Sequence, residues 1–301
     1  MRAAAPRSEQ RVSGTASPVR GLRRVRWYGA ALGTPMLLWQ LVFFAFPLLF
    51  LIALSFWQVR NFRLEPALQL GNWSYVLGSE SFWIAYGRSW LYSASATVVA
   101  SCLAFPCAYG IAFKLGRNAQ RFAIFLLVIP FFTSYLVRVY SWQIFLTDAG
   151  IINALLEQVG VGTVPMINTF FGTLIGYLTL TLPLVILLQF FSLVFVDRSL
   201  VEAAHNLQCG RMRTVFEVVI PSARIGLVIA ALFCFILTFG DFVSPLYLGG
   251  GAEATLPILI TDTTKSGQQW PRAATIALTM IATLLAVAFA AIAFAYRTRG
   301  K

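Results

Sequence analysis

Six long stretches of this chain carry no charged residue, or almost none, and they set the architecture. No Asp, Glu, Lys or Arg lies between Arg26 and Arg60, and the run over 30–56 is apolar throughout. A bilayer core takes about 20 apolar residues of helix, so this run is long enough to span it. It is too long for a signal-peptide core, and no small-residue cleavage site follows. A second run lies between Arg88 and Lys114, and a third covers 122–145. The fourth falls between Glu157 and Asp197, at 170–194, the fifth covers 225–246, and the sixth fills the gap between Arg272 and Arg297. The runs do not alternate apolar with polar positions, so helices and not barrel strands are predicted. The fold class read from this pattern is all-α and polytopic, with six transmembrane helices. Between the third and fourth runs, Ile151, Ile152, Leu155, Leu156 and Val159 recur at helical spacing. That spacing predicts a short amphipathic helix lying on the outer surface.

Composition narrows the class. Of 301 residues, 58% are hydrophobic and 11% are charged, against roughly 25% charged in a soluble domain. A chain this poor in charge cannot cover its surface in water, which excludes a soluble enzyme, a disordered protein and a disulfide scaffold. The four cysteines (Cys102, Cys107, Cys209 and Cys234) form no CxxC pair. Cys102 and Cys107 lie about 140° apart around a helix, and buried free thiols are predicted for all four.

The net charge of +12 would suggest nucleic acid in a soluble protein, but topology accounts for it here. With six spans both termini share one side. That side holds Arg2, Arg7, Arg11, Arg20, Arg23, Arg24 and Arg26 in the N-terminal tail, then Lys114, Arg117 and Arg121 after the second span. It also holds Arg198, Arg211, Arg213 and Arg224 after the fourth, and Arg297, Arg299 and Lys301 at the C-terminus. The other side holds Arg60, Arg63, Arg88, Lys265 and Arg272, and Arg138 lies within a span. Cytoplasmic loops retain Lys and Arg, so both termini are predicted to be cytoplasmic and no nucleic-acid partner is called for.

Catalytic groups are scarce. His205 is the single histidine, and the chain contains no HExxH, GxSxG or GxxxxGK[ST] sequence, so neither a metal site nor a P-loop is predicted. The informative segment is the loop from Asp197 to Pro221. Asp197 and Ser199 offer cap oxygens, and Leu200, Ala203, Ala204 and Leu207 form one apolar face of a helix. Gly210 can end that helix, and a second short helix reaches Val219 before Pro221 restarts the chain. The loop reads either as a solvated cytoplasmic linker or as a docking element, and an Ala-Ala surface with apolar flanks fits close docking into another protein better.

These residues carry a resemblance. Glu202-Ala203-Ala204, followed by Ile220-Pro221 with the proline nineteen positions after the Glu, resembles the EAA loop of permease subunits of binding-protein-dependent ABC importers. One position departs from the family. Its usual glycine six residues after the Glu is Gln208 here, and a glycine stands two residues later as Gly210. Ile129-Pro-Phe-Phe-Thr-Ser-Tyr-Leu-Val-Arg-Val-Tyr-Ser-Trp142 and Phe239-Gly-Asp-Phe-Val-Ser-Pro245, with Leu248-Gly-Gly-Gly251 after it, are similar to stretches of the polyamine (spermidine/putrescine) permease subgroup. The resemblance covers about 30–297. It implies a type I importer permease fold in a bacterial inner membrane. It also implies a transport subunit with no enzymatic activity and no cofactor of its own, ATP and Mg being bound by a cytoplasmic P-loop ATPase dimer. The remaining partners it implies are a second, homologous permease subunit, a periplasmic solute-binding protein and the lipid bilayer. In that frame 1–28 is a disordered basic cytoplasmic tail, 29–57 the first span and 58–88 a periplasmic loop. The core of five spans is 89–296, with the coupling loop at 197–222. The coupling residues implied are Glu202, Ala203, Ala204, Leu207, Gly210 and Pro221. A membrane-embedded enzyme or an assembly scaffold is the competing reading from another class.

Charges inside the membrane are costly, about 2.5–3.5 kcal/mol at the bilayer centre on insertion scales, and usually face a partner or a wet cavity. Asp241, near the outer end of the fifth span, either meets a cationic solute or pairs with Arg138. Tyr135, Tyr140 and Trp142 suit an aromatic cage for an ammonium group, and suit an interfacial aromatic belt equally. Tyr135, Arg138, Trp142 and Asp241 are therefore the candidates for a translocation path. Gly172 and Gly176 form a GxxxG that permits close helix packing, and Pro47, Pro106, Pro130 and Pro183 mark kinks within spans.

Overall fold

The computed structural model describes residues 33–61, 63–251 and 254–297. The expected basic tail 1–28 lies outside the described residues. The chain up to Leu51 forms one unit and the chain from Ile52 onward another. In the first unit, α1 (Gly33–Ser55) begins as a regular helix and widens into a π-turn at Leu41–Ala45. Trp39 stacks on Phe43 one turn on, with ring centres 4.0 Å apart.

The second unit opens with the end of α1 and a short hairpin, β1 (Gln58–Arg60) paired antiparallel with β2 (Arg63–Glu65). Helix α2 (Gly71–Leu77) follows. Its buried Asn72 donates to the carbonyls of Ser55 and Trp57, at 2.9 and 2.7 Å. Those are carbonyls a helix C-terminus leaves without intrahelical partners. Hairpin and α2 were not predicted, because the 58–88 loop has no strong periodicity.

Three helices make the core: α3 (Glu80–Lys114), α7 (Phe170–Val194) and α9 (Arg211–Phe239). Helix α3 starts nine residues before the predicted span and so includes Arg88. Its inner face is a ladder of small residues, Ser89, Ser93, Ala96, Ala100, Ala104 and Ala108, each at most 1% exposed. Spacing of four keeps them on one helical face, and their size lets α7 and α9 approach closely, as small residues do between membrane helices. Val185, Ile186, Phe190 and Leu193 of α7 and Val219, Ala230 and Cys234 of α9 fill the same core. Of the cysteines only Cys234 is buried. Cys102 and Cys107 are exposed on the apolar flank of α3, and Cys209 is half-buried in a loop, so the expectation of four buried thiols holds for one.

The third predicted span is not one helix. Helix α4 (Arg117–Phe132) closes with a 3₁₀ turn at Ile129–Phe132 around Pro130, and the stretch Tyr135–Gln158, which opens with α5 (Tyr135–Leu146), leaves at 91° to it. Thr133 and Ser134 between them are extended. Counting this bent pair once gives six helical segments long and apolar enough to cross a membrane; without it the described residues give five. The predicted amphipathic helix is present as α6 (Ile151–Gln158). It is pinned by fully buried Asn153, which bonds both the amide and the carbonyl of Val164.

The loop helix α8 (Arg198–Asn206) precedes α9, and Pro221 does not restart the chain there. Helix α9 runs through it by means of a π-turn at Val215–Val219. Proline lacks an N–H and its ring crowds the carbonyl four residues back. Glu217 occupies that place here, inside the wider turn, and in α1 Phe43 stands in the same relation to Pro47. The predicted fifth span also ends early, at Gly240. After it come α10 (Val243–Tyr247), α11 (Leu256–Lys265) and the last long helix, α12 (Trp270–Tyr296).

Candidate functional site

Two clusters gather the residues singled out by sequence. The first is the loop around α8. Asp197 caps the helix by accepting from the Ser199 amide at 2.9 Å, and these bonds hold its carboxyl below the usual carboxylate range. Val201 packs on the core and Ala204 is buried. Glu202 and Ala203 face outward, as do Leu200 and Leu207, the latter 80% exposed. Met212 and Phe216 on the first turns of α9 are exposed as well. The predicted apolar face is therefore divided, with one edge seated on the bundle and the other uncovered.

The turn that ends α8 resolves the departure at Gln208. The Cys209 amide donates to the Ala204 carbonyl at 3.0 Å and the Gln208 amide to the His205 carbonyl at 2.9 Å, the pair of bonds that defines a Schellman cap. Such a cap needs one left-handed residue, and Gln208 supplies it with φ +58°. The turn is not shifted to Gly210, which has extended backbone and starts α9. Glycine would hold position 208 without steric cost, so glutamine keeps the geometry at an energetic penalty.

The second cluster lies where α5, α7 and α10 meet. The Asp241 carboxylate, 8% exposed, accepts from the Tyr135 hydroxyl at 2.6 Å, the Ser244 hydroxyl at 2.6 Å, and the amides of Val243 and Ser244 at 2.9 and 3.2 Å. Tyr135 and Ser244 also share a short hydrogen bond. Arg138 turns elsewhere. It donates to the Thr179 carbonyl at 3.0 Å and lies over the Tyr135 ring, while its buried Nε has no partner. Arg213–Glu217 is the one ion pair among the described residues, so the pairing of Asp241 with Arg138 is not formed. Tyr140 packs on Tyr247 and Trp142 edge-on to Phe145, giving the three candidate cage rings separate partners.

Helix α10 reaches this place because α7 is flat there. A Cβ on Gly172 would come within 2.7 Å of the Leu248 carbonyl oxygen, and one on Gly176 within 2.6 Å of the Ser244 side chain. The GxxxG is the seat of α10, and through Ser244 it supports Asp241. Ser244 and Thr179 were missed by sequence reading. Asp-x-x-Ser, from Asp241 to Ser244, is a legible cap signal, whereas Thr179 contributes only a carbonyl and leaves no signal at all.

No family model matches the chain. Among curated proteins, it is 27% identical over 256 residues to the spermidine/putrescine transport system permease protein PotB of Haemophilus influenzae, covering 82% of this chain and 87% of that protein. It is 28% identical over 187 residues to the protein of the same name from Escherichia coli, covering 62% and 68%. To the inner membrane ABC transporter permease protein YdcU of Escherichia coli it is 28% identical over 244 residues, covering 74% and 77%. Among solved structures, a chain of a bacterial alginate ABC transporter, in complex with a periplasmic protein carrying an alginate pentasaccharide, superposes with a TM-score of 0.72. That match covers 94% of this chain and 99% of the other at 13% identity, which speaks to the fold alone. In sequence the chain is thus similar to spermidine/putrescine transport system permease proteins, and in fold to a chain of an ABC transporter.

Proposed function

We propose that this chain is one transmembrane subunit of an ATP-driven importer, carrying a polyamine or a similar small cationic solute handed over by a periplasmic binding protein. The observation that carries the reading is the helix Arg198–Asn206. It is seated on the bundle through Val201 and Ala204 and offers Leu200, Glu202, Ala203 and Leu207 outward. An exposed apolar edge on a capped, rigid helix suits a groove in another protein, and the chain has no P-loop of its own. The groove belongs to a P-loop ATPase dimer, which binds the ATP and Mg. Movement of α8 passes into α9, which continues from the same loop through the membrane. A second, homologous permease subunit completes the pathway, lined on this side by Tyr135, Arg138, Trp142 and Asp241.

The chain crosses an inner membrane six times, with the bent α4–α5 pair as the third crossing. Both termini are cytoplasmic, which the seventeen Lys and Arg placed on that side against five on the other support. The test is Glu202→Lys in the assembled transporter. Glu202 is exposed and forms no ion pair among the described residues, so folding should be unaffected. Co-purification of the ATPase and solute uptake should both fall at least tenfold. Wild-type association and uptake in this variant would end the reading.

A further inference from the structure

A groove on the flank of α3 and α9 adjoins the first cluster through Met212 and Phe216 and is otherwise used by neither. Its inner part is a cavity of about 500 Å³ lined by Ser101, Cys102, Phe105, Phe216, Ile220 and Leu227, among others. A second cavity of about 360 Å³ shares Phe105 and Phe216 with it and continues along Pro106, Tyr109, Met212 and Val215 to Lys114 and Arg211. Together they form one mostly apolar trough, with Arg224 in the wall of the first cavity, its guanidinium over the Phe294 ring and donating to the Phe294 carbonyl, and Lys114 and Arg211 at the end of the second. Twelve residues of helix separate Cys102 from Lys114, a rise of about 18 Å. One leaflet of a bilayer core is about 15 Å deep, so the trough is as long as an acyl chain is deep.

Neither cavity has a carboxylate in its lining, and neither Lys114 nor Arg211 forms an ion pair among the described residues. An occupant must be apolar along its length and anionic at the mouth. An uncharged helix of a partner subunit would meet the first demand and not the second. We propose that the trough is a binding site for an anionic phospholipid of the cytoplasmic leaflet, one acyl chain lying along Phe105 and Phe216 and the phosphate held by Lys114 and Arg211. Basic pockets at the cytoplasmic ends of membrane helices take such headgroups. Arg211 is the first residue of α9, directly after the Gly210 that follows the α8 turn. The lipid therefore ties the end of α3 to the loop that carries the coupling helix. The inference rests on the proposed orientation, because it is the cytoplasmic leaflet that carries the headgroup.

Binding is read on the full-length protein in detergent, as the rise in thermal midpoint on titration with phosphatidylglycerol, with phosphatidylcholine, and with inorganic phosphate. The expected result is a preference for phosphatidylglycerol over phosphatidylcholine that falls about fivefold for each cation removed, and so about twenty-five-fold in Lys114→Gln/Arg211→Gln. The charge-keeping pair Lys114→Arg/Arg211→Lys retains it and shows that loss does not come from misfolding. Equal response to the two lipids in the wild type overturns the proposal, as does an undiminished preference in the double Gln variant. Inorganic phosphate acting as well as phosphatidylglycerol also overturns it, by showing an anion site with no lipid. The readout needs neither ATPase nor solute, so loss of the transport reading through Glu202→Lys would leave this result standing, and the reverse holds too.

Discussion

The α8 loop and the Asp241 cluster carry the same kinds of residue, a carboxylate, small side chains and apolar flanks, and treat them in opposite ways. Around Asp241 every strong donor within reach is spent inside the chain: two amides and two hydroxyls converge on one buried carboxylate. Around Glu202 nothing is spent, and Leu207 is left 80% exposed beside it. A carboxylate closed on its own chain organises that chain. One left open on an apolar helix edge is free to meet another protein. The contrast predicts that substitutions in the first place register as lost stability, and those in the second as lost association.

The largest effect is expected at Asp241. Asp241→Ala leaves the Tyr135 hydroxyl and the Ser244 hydroxyl and amide without their acceptor in a buried place. Unmet buried donors cost about 1–3 kcal/mol each, and more where a charge was the partner, so a loss of about 3 kcal/mol is expected in thermal or denaturant unfolding. Asp241→Asn keeps one acceptor oxygen and should lose less than half as much. That makes it the variant in which uptake can be measured with the fold intact. Full uptake by Asp241→Asn would leave the carboxylate an organising role alone, whereas loss of uptake with near-normal stability would place it on the path.

Leu207→Ser sits on the other side of the comparison. The side chain covers nothing in this chain, so stability should change by no more than about 0.5 kcal/mol. Association with the ATPase should weaken by about 1–2 kcal/mol, as expected for withdrawing a largely exposed leucine from an interface. A drop in unfolding midpoint without a change in association would mean that the exposed edge is turned inward, and the contrast would fail.

Much of this was legible in the chain. The limits of α7 were read as 170–194 and are Phe170–Val194, because a charge-free run bounded by polar loops has sharp edges. Where helices pass through or stop at proline, the residue type alone does not decide. Pro221 rides inside α9 because the preceding turn widens, while Pro130 ends α4 because two extended residues follow it. Both look alike in sequence. The ladder Ala96, Ala100, Ala104 and Ala108 was readable in principle at a spacing of four, but it lies in a run already fully apolar, where it adds no contrast. Asp241 and Tyr135 were both candidates for the path but not as partners of each other, and they lie 106 positions apart. Only the break of the third span and the glycine seat on α7 bring the two together, and no local pattern encodes that meeting.

The smallest expected effect bears on the α8 turn, where Gln208 and Gly210 occupy each other's expected roles. A left-handed backbone costs an L-residue about 1–2 kcal/mol, and glycine returns part of that through its freer unfolded chain. Gln208→Gly should therefore stabilise the loop by about 0.5–1 kcal/mol, seen as slower hydrogen exchange at the Cys209 amide that closes the cap. Gly210 has φ −61° and open space around a would-be Cβ, so Gly210→Ala should be neutral or slightly stabilising. The two substitutions together locate the turn. If alanine at 210 loosened the loop and glycine at 208 did nothing, the left-handed residue would be Gly210. The α8 edge would then be turned relative to the bundle, and Leu207 would no longer be the side chain it presents. With the opposite result, α8 ends at Gln208, the position where the resemblance leads one to expect glycine. This chain holds that end with a residue that weakens it slightly, at the turn that leads into α9.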